Sequence, residues 1–303
     1  MAVTTTGAHP KALWPGVNAF FGKSYADKPM LCDIIFDRQK SDKAYEEYVE
    51  ETGYGLAPVK PEAGAISYDT DRQGYTARLV NVTYGLGAAI SQEAIEDNQY
   101  EKVGKAKARK LKRSMRQTKE TVAANIFNRA FDPTFTGGDG SPLIATDHDT
   151  MDGTQANQLA VAADLSEASL EDHLTLVRQM TDSRGLRIQL KGTHLIVPPE
   201  LEFVAYRILE SAGQSGTANN DVNAIKGLGL LPGKVVVWDF LTDPDAFFIK
   251  TDADVGLIRQ QRRKLALQQD NDFDTSNALM KATERYAFGW ADWRGIVGSP
   301  GAA

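Results

Sequence analysis

No proline occurs between Pro61 and Pro133. Inside that span lies the longest helical pattern of the chain. Ser91 is a good N-cap. Glu93, Glu96 and Asp97 place negative charge in the first turns, where the helix dipole favours it. "FDP" at 131–133 stops the pattern. The reading is one helix over 91–131, about 40 residues and roughly 60 Å long. That exceeds the width of a small domain, so the rod must lie along a broad surface or along neighbours.

Its faces are unlike. Tyr100, Gly104, Ala108, Leu111, Met115, Val122 and Ile126 recur at helical spacing and form a narrow apolar seam. Lys102, Lys105, Arg109, Lys112, Arg113 and Arg116 form a basic stripe, expected to face solvent or a partner. Residues 101–120 hold nine basic and two acidic side chains, a local charge of +7. The whole chain carries −6, so the remainder carries −13. The acidic balance argues against a dedicated nucleic-acid binder, which is usually basic overall. The stripe carries no interleaved aromatics, so base stacking is not expected of it. Contact with acidic protein surfaces and plain solvation both rank above contact with nucleic acid.

At 303 residues the chain can bury a sizeable core and is long enough for two domains. No apolar run approaches membrane-spanning length. The first residues lack the layout of a signal peptide. The single cysteine, Cys32, excludes an internal disulfide and suits a reducing compartment. It sits in the apolar run "MLCDIIF" and reads as a buried, inert thiol.

Residues 1–60 read as an arm, with a short amphipathic helix in "SDKAYEEYVEETG". Residues 61–89 read as a long hairpin turning at "DTDRQG", with Asp69, Asp71, Arg72 and Gln73 at its tip. An isolated hairpin is marginal in water, so this one is expected to project and dock elsewhere. After a loop-rich stretch, residues 166–254 alternate helix and strand. Ser166 caps a helix to about Met180 whose inner face is Leu170, Leu174 and Val177. "THLIVPPELEFVAYRIL" is a strand, a Pro-Pro break and a helix. "SAGQSGTANND" is a polar loop. "GKVVVWDFLTDPDAFFIKT" is two strands around an Asp-Pro turn. Residues 255–298 hold two long strands.

The chemistry-bearing groups are few. "GLGLLPG" at 227–233 precedes a strand and meets no helix N-terminus, so it reads as a turn, not a phosphate loop. Ser141 lacks the context of a nucleophile elbow. Asp147, His148, Asp149 and Asp152 fit no calcium-loop spacing and read as solvated loop carboxylates around an ordinary histidine. His9, His173 and His194 have no evident second ligand or acid. No catalytic, metal or cofactor site is nominated, and an enzyme is not expected.

The order of arm, long hairpin, long helix, α/β block and returning strands resembles the Hong Kong 97 fold of tailed-phage major capsid proteins. "TYGLGAAISQEAIEDNQY", "VAANIFNRAFD", "DGSPL", "THLIVPPEL", "NNDVNAI", "LTDPDAFFI" and "ERYAFGWADWRGIVGSPGAA" are similar to the Mu-like branch of head subunits. That branch often has a His-Pro step where this chain reads His148-Asp149. The resemblance implies an α+β fold in four parts. Residues 1–60 become the N-terminal arm and 61–89 the extended loop that lies over a neighbour. Residues 90–165 and 255–303 become the peripheral domain, with 91–131 as its spine helix. Residues 166–254 become the axial domain, whose loop at Gln214, Ser215, Asn219 and Asn220 stands near the capsomer centre. It further implies a structural subunit that assembles as hexamers and pentamers into an icosahedral shell around double-stranded DNA. Expected partners are other copies of itself, a portal, a scaffold, decoration or cement proteins and loosely held DNA, with no membrane. The location expected is the virion, assembled in the bacterial cytoplasm. Lys105, Arg109, Lys112, Arg113 and Arg116 are then an inner-face or subunit-contact stripe. An encapsulin-like nanocompartment shell, which shares the fold, is the alternative.

Overall fold

Asn81 separates two strands that go different ways. The chain's structure is a computed structural model describing residues 29–91, 93, 100–211, 213, 222–272 and 277–302, with backbone alone for 100–105. β3 (Gln73–Val80) precedes Asn81 and pairs antiparallel with β2 (Tyr45–Glu51). β4 (Val82–Ile90) follows it and pairs with β11 (Ala278–Trp290) instead. Buried Asn81 holds the junction. Its Nδ2 donates to Ser41 Oγ at 2.7 Å and to the Lys43 carbonyl at 3.1 Å.

This corrects two expectations. Residues 61–89 are not a hairpin folded at "DTDRQG". The hairpin is β2–β3, joined by the long loop 52–72. "SDKAYEEYVEETG" is not a helix, because β2 occupies it with an alternating pattern in which Glu46, Tyr48 and Glu50 are half-buried. Tyr and Val favour a pleated surface, and the partner strand β3 outweighs a weak local helical pattern.

The main sheet has the order β1-β10-β11-β4. β1 (Asp37–Lys40) runs parallel to the start of β10 (Leu257–Asn271), which pairs antiparallel with β11. The long helix, α2 (Tyr100–Asn128), crosses this sheet. Its 29 described residues extend about 44 Å. Ala108, Leu111 and Met115 pack on Ile90, Ala278, Met280 and Ala282 of the sheet. Further along, Ala123, Ala124, Ile126 and Phe127 enter a second and larger core. The helix thus joins two cores, as its apolar seam requires.

The larger core also holds residues 30–36. α1 (Cys32–Ile35) is a single turn whose Cys32 and Ile35 are fully buried. Residues 30–40, read from the sequence as part of the arm, are therefore built into the body, 30–36 through the core and β1 through its pairing with β10.

The α/β block forms as read. α3 (Glu167–Gln179) is capped by Ser166, which accepts from Ser169 N while the Ser169 side chain reaches back to the Ser166 N–H. Leu170, Leu174 and Val177 are buried. β7 (Gly192–Val197) leads through a 3-10 turn, Pro199–Leu201, into α4 (Glu202–Glu210). α5 (Ala224–Leu228) closes on Gly229, whose φ of 59° is the left-handed C-cap that favours glycine. The glycines of 227–233 therefore end a helix and lead into β8 (Val235–Val237). The sheet order is β12-β9-β7-β8, with β9 at Phe247–Thr251. β12 (Ile296–Ser299) comes from the C-terminal segment assigned to the other domain. It crosses over because Ile296 and Val297 are fully buried beside β9.

Candidate assembly surfaces

The basic stripe of α2 divides in two. Arg109 and Arg113 lie exposed on the helix. Arg116, one turn further, is half-buried and donates to the Pro29 carbonyl at 2.6 Å, tying the N-terminal segment to the helix. Lys112 does not face out. It is only 3% exposed, since it shares the sheet-facing side of the helix with Met115, three residues on. Lys105 is helical in backbone, and its side chain lies outside the described residues.

Two residues beside the stripe escaped the sequence reading. Lys119 is buried and pairs with Glu284 of β11. Glu120 is buried and accepts from Leu31 N at 2.8 Å, Cys32 N at 3.2 Å and Trp238 Nε1 at 3.1 Å. One carboxylate thereby caps α1 and anchors Trp238. The available signal was a charged Lys-Glu pair in line with the apolar seam, a position where charge must find a partner. Cys32 beside it is inert. Burial, reinforced by the Glu120 charge, pushes its thiol up to about 12.

Asp69, Asp71, Arg72 and Gln73 are not at a loop tip. They stand where the loop 52–72 closes onto its strands. Asp69 Oδ2 accepts from Gly55 N at 2.8 Å and pairs with Arg184 Nη1 at 2.8 Å. The Gly55 N–H, then Arg184, then the Thr70 N–H hold its carboxyl down at about 2. Asp71 accepts from Thr52 Oγ1 at 3.4 Å, and Arg72 N donates to the same hydroxyl at 3.1 Å. Gln73 opens β3 opposite Glu51. Arg184 also donates to the carbonyls of Gly53 and Thr70, and Ser183 bonds Glu50. The loop base is thus fastened to the body.

Beyond that base the loop is bare. Leu56, Val59, Ile66 and Tyr68 are 82%, 95%, 67% and 93% exposed. These apolar side chains make the loop a candidate contact surface.

Gln214, Ser215, Asn219 and Asn220 lie outside the described residues. The chain ends that flank them are drawn together by a bridge between Gly213 and Val222. Asn223 secures the exit: it caps α5 and donates to the Ile208 carbonyl.

Asp147, Asp149 and Asp152 are exposed, as read, but Asp149 stands in a short strand, β5 (His148–Thr150), paired antiparallel with β6 (Gly153–Gln155). His148 between them turns inward and is fully buried. Its ring nitrogens face Asp139 Oδ2 at 2.6 Å and Asn157 Oδ1 at 3.1 Å, and its ring stacks on Trp293 at 4.1 Å. His173 and His194 belong to the α/β block, on α3 and β7, while His9 is outside the described residues. Among the described residues no group of three or more acidic, His or Cys side chains could hold a metal ion. No described helix is long and apolar enough to cross a membrane.

Residues 76–299 match the family model described as phage capsid protein. No curated protein matches the sequence significantly. Among solved structures, the fold is similar to the virus-like particle from Pyrococcus furiosus at 11% identity and a TM-score of 0.57, covering 95% of this chain and 99% of that one. It is similar to the procapsid subunit of bacteriophage JBD30 at 14% identity and a TM-score of 0.54, covering 97% and 76%. It is also similar to the capsid of the native GTA particle at 13% identity and a TM-score of 0.54, covering 91% and 92%. The α+β architecture is the Hong Kong 97-type capsid fold, and with a family match over most of its length the chain belongs to the phage capsid proteins.

Proposed function

We propose that the protein is the major head subunit of a tailed phage, forming hexamers and pentamers of an icosahedral shell around double-stranded DNA. The observation that carries this is the loop 52–72. It is fastened at its base by Arg184 and bare beyond it, with Leu56, Val59, Ile66 and Tyr68 in solvent. A two-stranded hairpin has no core to cover such residues. A neighbouring copy covers them in the assembled shell, and the loop serves as the extended loop of the fold. Portal, scaffold and decoration proteins are its further partners, and assembly takes place in the host cytoplasm. Arg109 and Arg113 face acidic neighbour segments or the genome. Their grip on DNA is loose, because many phosphate contacts would bind strongly and oppose ejection.

Electron microscopy of the purified protein, run beside size-exclusion chromatography, tests this. Closed shells or five- and six-fold rings are expected. A monomer that persists when portal and scaffold are co-expressed would overturn it. The likeness to a virus-like particle favours one second reading, an encapsulin-like shell around cargo protein. Particles that hold a folded protein and no nucleic acid would establish that reading instead.

A further inference from the structure

The outer face of α4 carries two large aromatics one turn apart. Phe203 is 75% exposed and Tyr206 is 64% exposed, while Ala205 and Ile208 on the inner face are buried. Residues three apart on a helix are neighbours, so the two rings form one knob. Glu200 and Glu202 lie exposed on its N-terminal side, and Arg207, which donates to the Phe203 carbonyl at 3.3 Å, is exposed on its C-terminal side.

A separate surface of the same block is concave. A cleft of about 820 Å³ opens between α3, the start of β7 and α5. Leu174 lines its floor and Leu228, 71% exposed, stands on its wall. Its rim carries Arg178 and Lys191, both exposed. Asp252 is also on the rim, but its Oδ1 already accepts from Lys191 N at 2.7 Å. Glu171 is the remaining acid there. The neighbouring cleft between α4 and α5 is a poorer receptor, because Glu210 on its wall already faces Lys226 and Lys234 at 3.9 Å.

We propose that the Phe203–Tyr206 knob of one copy seats in the Leu174–Leu228 cleft of the next copy, with Glu202 against Lys191 and Arg178. Knob and cleft are different patches of one chain. Such an interface is head-to-tail, and it closes into a ring when the rotation per copy divides the circle. Exposed aromatics are typical anchors of interfaces, and a polar rim of opposite charge fixes their register. The proposal deepens the shell-subunit reading and rests on it, since it names the contact that holds a ring together.

Full-length chain tests it by native mass spectrometry and electron microscopy. Phe203→Ser with Tyr206→Ser abolishes rings and shells, while the thermal transition of the free subunit stays within a few degrees. Glu202→Lys alone and Lys191→Glu alone each weaken ring formation by about tenfold or more. The double variant Glu202→Lys plus Lys191→Glu restores it. Wild type that assembles beside aromatic variants that assemble equally overturns the contact alone. Single charge variants that weaken assembly without mutual rescue overturn the Glu202–Lys191 pairing. Wild type that stays monomeric even with portal and scaffold co-expressed overturns the shell reading and this contact with it.

Discussion

Lys119 of α2 and Glu284 of β11 form a buried ion pair between helix and sheet, with both side chains 1% exposed. Gln261 Nε2 donates to the same Glu284 oxygen at 3.2 Å, and the Lys119 ammonium lies 5.0 Å from the Tyr286 ring. Removing one partner leaves an uncompensated buried charge, which costs about 3–5 kcal/mol. Replacing both by apolar groups of similar volume is near neutral or stabilising. Urea unfolding of Glu284→Ala is therefore expected to shift strongly. Lys119→Met with Glu284→Leu is expected to recover most of the loss. Equal loss in both variants would mean that the pair itself, and not its charge balance, holds helix to sheet.

The Asp69–Arg184 clamp predicts an acid-sensitive loop base. Asp69 has its folded pKa depressed from an ordinary 3.8 to about 2. A depressed carboxyl stabilises the fold above its unfolded value and loses that contribution as pH falls through the folded one. The window is thus from about pH 4 down to about pH 2. Hydrogen exchange at Gly55 and Thr70 reads it directly, since both amides donate to Asp69. Protection of those amides is expected to fall within that window, and Asp69→Asn is expected to lower it at neutral pH as well.

Much of the fold is legible in the sequence where one period dominates. The seam of α2, the Ser166 cap, the strand–Pro-Pro–helix run and the two long C-terminal strands all rest on local chemistry. The failures rest on long-range pairing. "YEEYVEE" has no local signal that prefers strand to helix, and β3 decides it from 28 residues away. β12 joins the second sheet because its apolar residues fit beside β9, which no spacing announces. The surfaces were harder. Lys112 and Arg113 look alike in sequence, yet 100° of helical rotation buries one and exposes the other. Asp69 reads as a turn residue, and only Arg184, far along the chain, makes it a clamp.

Cys32 is predicted to be silent to thiol reagents in the native state. Its thiol is held at about 12, chiefly by burial and then by Glu120. The thiolate is the reactive form, so at pH 8 the native protein offers almost none of it. Labelling with a disulfide reagent should proceed only as fast as the core opens. Rapid labelling of the folded chain would show that residues 30–36 leave the core readily.

His173 gives a second pH dependence, at milder acidity. Its ring is fully buried, with Nδ1 donating to the Ser169 carbonyl at 2.7 Å. Burial lowers its pKa below the ordinary 6.5, outweighing the Ser169 and Gly298 carbonyls. The unfolded chain then binds the proton more readily, so stability is full above pH 6.5 and falls as the solution is acidified. His194 is shifted the same way by burial and Lys250, so the two add. His173→Gln is expected to flatten part of the stability loss below pH 6.5, measured by urea midpoints. A slope unchanged from wild type would assign the acid sensitivity elsewhere.

Arg109 and Arg113 stand four residues apart on the exposed side of α2, next to the Arg116–Pro29 contact that ties down the N-terminal segment. Reversing both charges, Arg109→Glu with Arg113→Glu, changes the local balance by four units without touching either core. The free subunit is expected to stay folded, since both side chains are exposed and outside the two cores. If the pair meets acidic segments of a neighbour, assembly yield falls and high salt partly hides the difference, because exposed charges are screened. If it faces the genome, shells form normally but release DNA more easily. Electron microscopy of the particles and their nucleic-acid content separate these outcomes. Particles unchanged in both respects would show that Arg109 and Arg113 meet neither a neighbour nor the genome, leaving Arg116 as the stripe member that ties down the N-terminal segment.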